Sequence, residues 1–195
     1  IPDGVVSIAQ FAFIGCDNLT SITFPESLNI IEHRAFWTCN GLTSIVIPKR
    51  VWHIDQQAFG YCYNLRIVSV DNENAHYDSR DNCNAIIETK TNTIIRGTAQ
   101  TVIPEDVKVI GDFAFSGCLP MKSFNIPEGV TSIGSYAFCQ CNNLASISLP
   151  KSVESIGEYA FYNCYNLTSV ELPQSVAEIK DYTFAYCSKL ASVSF

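Results

Sequence analysis

The chain has 195 residues, 47% of them apolar, and a formal charge of −7 from 12 basic and 19 acidic side chains. That is enough apolar material for one sizeable core, so residues 1–195 read as a single domain. The acidic balance argues against a nucleic-acid partner, whose phosphates require clustered Lys and Arg. No apolar run approaches the roughly 18 residues of a membrane-spanning helix, so no membrane insertion is expected within this segment.

The chain opens on Ile1-Pro2 without a methionine, as expected of an excised segment. From there it repeats itself. An apolar residue followed by proline occurs at Ile1-Pro2, Phe24-Pro25, Ile47-Pro48, Ile103-Pro104, Ile126-Pro127, Leu149-Pro150 and Leu172-Pro173. The spacing is 23 residues except across the middle, where Val70-Asp71 takes the same phase and the next unit begins at Ile103. Repeats therefore start at 1, 24, 47, 70, 103, 126, 149 and 172.

Single positions recur down the series. Phe13, Phe36, Phe59, Phe115, Phe138, Phe161 and Phe184 share one phase, and Leu19, Leu42, Leu65, Met121, Leu144, Leu167 and Leu190 share another. Val5, Leu28 and Val51 open a valine phase, and Ile8, Ile31 and Ile54 an isoleucine phase. Stretches such as Leu19-Thr20-Ser21-Ile22-Thr23-Phe24 alternate apolar and polar residues, the strand period, and the following proline ends them because it cannot donate to a ladder. Equivalent strands one repeat apart must then pair in parallel. The Ala-Phe-x-x-Cys stretch is too short for a long helix and predicts a single turn, often 3₁₀, on the opposite side. The Val-x-x-Ile stretch offers a second short strand.

Seven of the nine cysteines, Cys16, Cys39, Cys62, Cys118, Cys141, Cys164 and Cys187, occupy one phase, three residues before the leucine phase. A fixed phase predicts buried thiols acting as small hydrophobes with a weak S–H donor. A ladder of disulfides between adjacent coils is the rival reading. A zinc site is disfavoured, because no paired C-x₂-C or His partner stands at ligand spacing. Cys83 and Cys139 lie off the phase and are the thiols expected to be accessible.

Residues 71–102 break the repeat and hold ten extra residues. Ala85-Ile86-Ile87-Glu88 and Thr93-Ile94-Ile95-Arg96 flank the turn-prone Thr89-Lys90-Thr91-Asn92, which predicts a β-hairpin. It should project from the coil or cover one side of it. Either it is a packing insert, or it marks a binding face, where solenoid insertions often lie.

The pattern P-x-x-V-x-x-I-G-x-x-A-F-x-x-C-x-x-L-x-S-I resembles the BspA-like (Treponema pallidum-type) leucine-rich repeats over essentially the whole chain. The Tyr77–Glu88 stretch resembles the hairpin found between such repeats in proteins of gut and oral Bacteroides-type bacteria. The resemblance implies an α/β leucine-rich-repeat solenoid of about eight 23-residue coils, with a parallel sheet on one side, short turns opposite and one hairpin insert. It also implies a secreted or cell-surface bacterial protein that adheres to host or bacterial proteins. The family brings no catalytic motif.

No catalytic set, cofactor motif or metal-ligand spacing is visible, and His33, His53 and His76 are scattered over different phases. The expectation is a non-enzyme without cofactor. The candidate partner-binding residues are Arg66 and Lys122, on the outward side of the strands flanking the insert, and Trp37, Trp52, Tyr61 and Tyr63 at variable positions. Trp, Tyr and Arg predominate at binding hot spots. The competing reading is that these aromatics shield the Phe and Leu columns beneath them. A structural spacer and a glycan-binding module remain as alternative functions.

Overall fold

In the computed structural model, which describes all 195 residues, the chain winds into a right-through stack of coils with short strands and almost no helix. The first half holds β1 (Ser7–Ile8), β2 (Ile30–Ile31), β3 (Ser44–Ile47), β4 (His53–Ile54) and β5 (Ile67–Val70). The insert adds β6 (Tyr77–Asp78), β7 (Ala85–Glu88) and β8 (Thr93–Gly97), with one 3₁₀ turn at Arg80–Asn82. The second half holds β9 (Val109–Ile110), β10 (Ser123–Asn125), β11 (Ser132–Ile133), β12 (Ser146–Ser148), β13 (Ser155–Ile156), β14 (Ser169–Glu171) and β15 (Ser192–Ser194).

Strands in the phase that precedes the proline form the main sheet, in the parallel pairs β3–β5, β10–β12 and β14–β15, but the strand expected at Leu19–Phe24 does not form, nor does one before Pro104. The Val-x-x-Ile strands form the expected second sheet, with β1, β2 and β4 in the first half and β9, β11 and β13 in the second. Partners lie one repeat apart, as in Ser44↔Ile67 and Ser123↔Ser146, so like phases stack. Side chains alternate across each strand, and Ile45, Phe124, Ile147 and Val170 face inward.

The phase columns become physical columns. Phe13, Phe36 and Phe59 stack face to face with centroids 5.0 and 5.3 Å apart, and Phe115, Phe138, Phe161 and Phe184 do so at 5.1, 5.3 and 5.4 Å. All nine cysteines are free thiols. Five of the seven column thiols donate to the Phe carbonyl of the preceding coil, among them Cys39 Sγ to Phe13 O at 2.9 Å, Cys141 Sγ to Phe115 O at 3.2 Å and Cys164 Sγ to Phe138 O at 3.2 Å, whereas Cys118, next to the insert, faces Gly97 O instead. Cysteine is thus the small apolar residue that also satisfies an inward carbonyl.

The turn side has its own ladder. Tyr136, Phe138 and Gln140 donate their N–H groups to Glu158, Ala160 and Tyr162 of the next coil, at 3.0, 2.8 and 2.8 Å. The same three-bond pattern joins Phe113, Phe115 and Gly117 to Ser135, Ala137 and Cys139. To turn every second N–H the same way, the chain enters the left-handed region at Phe113, Tyr136, Tyr159 and Tyr182, and again at Gly117, Gln140, Asn163 and Tyr186. Left-handed geometry costs a non-glycine residue roughly 1–2 kcal/mol. The inter-coil bonds offset it.

The insert neither projects from the coil nor covers one side of it, the two placements expected from its sequence. The hairpin runs through the middle of the stack as a septum. β8 pairs in parallel with β9, and β7 and β6 continue the second sheet beyond it, in the order β13-β11-β9-β8-β7-β6. Ile86 and Ile95 join the core of the first half, whereas Ile87 and Ile94 join the core of the second. All four are buried. Two-sided burial accounts for the continuous apolar runs of the hairpin, since a strand with one wet face alternates.

The septum also interrupts the turn-side ladder. Gln57 turns its N–H to Asp55 Oδ1, and the N–H of Gly97, at the end of β8, takes Ala114 O at 2.9 Å. Arg96 is buried beside it and donates Nη1 to Phe113 O and Ser116 O at 3.2 and 3.1 Å, with no carboxylate in contact. Gly97 must be glycine: a Cβ there would sit 2.3 Å from the Phe115 ring.

The two off-phase cysteines are not accessible. Cys83 is 2% exposed and Cys139 is 1% exposed. Cys139 lies under Tyr61, whose hydroxyl is 3.1 Å from its sulfur, and burial pushes this thiol up to about 11. The local strand pattern carries no sign of that cover, because Tyr61 comes from the other half of the stack.

Candidate partner-binding surface

At the seam where the septum separates the halves, the third and fifth coils meet directly on the turn side. There Trp37 packs edge-on against Tyr61 at 4.8 Å and Phe113 at 5.3 Å. The indole lies over Gly60, where a Cβ would approach it to 2.4 Å. Asp112 N–H donates to Gln56 Oε1 across the seam, and the Tyr63 hydroxyl donates to Gln140 Oε1 at 2.6 Å. Trp37, Tyr61 and Tyr63 are therefore half-buried seam residues, each with part of its ring in solvent.

Beside them opens a cavity of about 320 Å³ lined by Arg34, Trp37, Gln57, Tyr61, Asp112, Phe113, Ser135 and Tyr136. Arg34 lies over the Trp37 ring at 4.5 Å, and Gln57 Oε1 accepts from its Nε at 2.7 Å. Its two Nη nitrogens have no protein partner. Asp112 Oδ1 accepts from Ser135 N–H at 2.7 Å, which leaves Oδ2 free. The cavity thus offers a positioned guanidinium, a carboxylate oxygen and aromatic edges. From Phe113 a ladder of rings runs along the surface through Tyr136, Tyr159 and Tyr182, stacked at 4.7, 4.6 and 4.7 Å.

The remaining expected residues lie elsewhere. Trp52 is exposed as anticipated, on the second-sheet side, with its ring near His53. Arg66 and Lys122 are both exposed on the main-sheet side, but the structure does not bring them together as strand neighbours. Asn84 intervenes: its amide accepts from Val68 N–H at 2.8 Å and donates to Arg66 O at 2.9 Å, which closes the edge of β5. Sequence reasoning missed Arg34, Asp112 and Phe113. A signal for two of them existed, since Phe11, Arg34, Gln57, Phe113, Tyr136, Tyr159 and Tyr182 share one phase.

The profile of the BspA type Leucine rich repeat region matches residues 1–96 and 94–195, with six copies of the repeat. The chain belongs to the BspA-type leucine-rich repeat family. Among solved structures, this BspA-type chain is similar to a leucine rich cell surface protein from Faecalibacterium prausnitzii A2-165, with 29% identity and a TM-score of 0.84 over 100% of this chain and 58% of that one. It is also similar to a leucine-rich repeat protein from Bacteroides ovatus ATCC 8483, with 27% identity and a TM-score of 0.52 over 97% of this chain and 45% of that one. The Pneumococcal vaccine antigen PcpA shares the fold, with a TM-score of 0.80 at 21% identity over 99% of this chain and 55% of that one. The BspA-type chain thus spans about half the length of these proteins. No curated protein matches it. No helix is long and apolar enough to cross a membrane.

Proposed function

We propose that this chain is a non-catalytic protein-binding module of a bacterial cell-surface or secreted protein, and that it acts in adhesion to a host or bacterial protein. The seam carries this reading. It gathers Trp37, Tyr61, Tyr63 and Arg34 beside a cavity, the side-chain types that supply most binding energy at protein interfaces. Family membership and the likeness to a protein described as a cell surface protein support the placement outside the cell. Trp52, on the second-sheet side, and Arg66 and Lys122, on the main-sheet side, are further proposed contact residues away from the seam. Along the Tyr136–Tyr159–Tyr182 ladder a sugar platform is disfavoured, because these rings stack on one another. The spacer reading predicts no ligand at all.

The test is a pull-down from bacterial and host surface extracts, followed by titration of the captured protein. Saturable binding that weakens tenfold or more in Arg34→Ala, with smaller losses in Trp52→Ala and Arg66→Ala, is expected. Absence of saturable binding from every extract would favour the spacer.

A further inference from the structure

The main sheet lacks a ladder at three joins, between residues 19–24 and β3, between residues 99–103 and β10, and between β12 and β14, and at the second of these no hydrogen bond crosses at all. β10 pairs with β12 on its far side through Phe124, so Ser123 and Asn125 turn their N–H and C=O groups back towards the preceding coil. The chain there is the segment 99–103, which sits in strand phase but forms no strand. No hydrogen bond crosses from residues 99–103 to residues 121–127. The N–H groups of Lys122, Ser123 and Asn125 make no hydrogen bond to the preceding coil. Instead a cavity of about 390 Å³ lies between the two segments, walled by Ala99, Thr101 and Val102 on one side and Ser123, Phe124 and Asn125 on the other. Val102 beside it is 76% exposed.

Elsewhere the stack keeps its coils tied. β12 and β14 also lack a full ladder, but Thr168 N–H and Oγ1 both donate to Ala145 O, at 3.3 and 3.2 Å. On the other side of the insert, Asn84 satisfies the edge of β5. The slot before β10 has neither device. Unpaired strand edges are templates for another chain.

We propose that this slot captures a short extended segment of a partner polypeptide by strand addition to β10. Backbone groups at a two-residue interval, Ser123 and Asn125, match the hydrogen-bonding period of an extended chain and of nothing bulkier. The walls mix apolar Val102, Phe124 and Pro127 with Ser123 and Asn125, which suits a segment alternating β-branched apolar and polar residues. Coils stand on both sides of the slot, so the folded body of a second copy cannot enter. The proposal rests on the protein-binding reading and gives it a site and a kind of ligand.

The test uses a peptide of the sequence Tyr165–Pro173, which carries the chain's own β14 strand, labelled with a fluorophore. Hydrogen exchange on the free protein should show fast amides at Ser123 and Asn125 that become protected when the peptide binds. Asn125→Pro removes one edge donor without touching the β10–β12 ladder, because that N–H faces the slot. It should weaken peptide binding tenfold or more, as should N-methylation of alternate peptide residues, while far-UV circular dichroism and the melting midpoint stay unchanged. Slow exchange at Ser123 and Asn125 in the free protein would overturn the proposal, as would binding indifferent to both changes. Self-association abolished by Asn125→Pro would also overturn it, by assigning the slot to a second copy. Saturable capture of a surface protein that Asn125→Pro leaves intact would overturn the slot and leave the protein-binding reading standing. Peptide capture at the slot with no surface-protein binding anywhere would do the reverse.

Discussion

Ile86 and Ile87 are neighbours in sequence and belong to different cores: Ile86 packs among Phe36, Phe59 and their column, and Ile87 among Phe115, Phe138 and theirs. Ile95 and Ile94 repeat the division on the paired strand. The hairpin is a two-faced wall, and each half of the stack closes on one face of it.

This division makes the halves separable by mutation. Ile86→Ala should cost about 2–5 kcal/mol, the usual range for a truncated buried isoleucine, and so should Ile87→Ala. Hydrogen exchange should show the loosening mostly in residues 28–68 for Ile86→Ala and mostly in residues 107–170 for Ile87→Ala. Equal loosening of both halves by either change would contradict the septum.

Removal of Arg96 should be costly despite its buried charge. The guanidinium alone satisfies Ser116 O across the seam and helps satisfy Phe113 O, and an unpaired buried carbonyl costs roughly 1–3 kcal/mol. Arg96→Ala also leaves a void, so a loss of about 3 kcal/mol or more is expected. Urea denaturation of the variant measures it. A variant as stable as the parent would show that desolvation of the cation outweighs its bonds.

The cysteines should behave as packing residues. The intact mass under non-reducing conditions should equal that of nine free thiols. Alkylation of the folded chain should spare Cys83 and Cys139 until denaturant is added. A mass lower by proton pairs would restore the disulfide ladder.

Alkaline pH should destabilise the fold. Burial raises the Cys39 thiol from the ordinary 9.0 to about 12 and Cys62 to about 11. Below pH 9 these thiols are neutral in both states, and their full contribution is present. Between pH 9 and about 11–12 the unfolded chain releases its protons first, so stability falls as pH rises. The urea midpoint should drop across that window, and less steeply in Cys62→Ala. Identical slopes for parent and variant would remove Cys62 from the account.

Much of this was legible because a 23-residue period translates every phase into a column. Phe36 above Phe59, Cys141 under Phe115 O and the strands that end before Pro48, Pro127, Pro150 and Pro173 follow from stacking identical coils. The continuous apolar runs at Ala85–Ile87 and Ile94–Ile95 also carried a signal of two-sided burial, although a run that short fits a covered hairpin equally well.

The sequence by itself determined the coil, its columns and the point of interruption, since these rest on local period and on contacts one repeat away. Tertiary structure decided what the interruption does. Residues far apart in the chain meet there: Trp37 on Phe113, Tyr61 over Cys139, and segment 99–103 against an unfilled edge of β10. No phase relation specifies those contacts, because the ten extra residues shift one half of the stack against the other and leave packing to set the join.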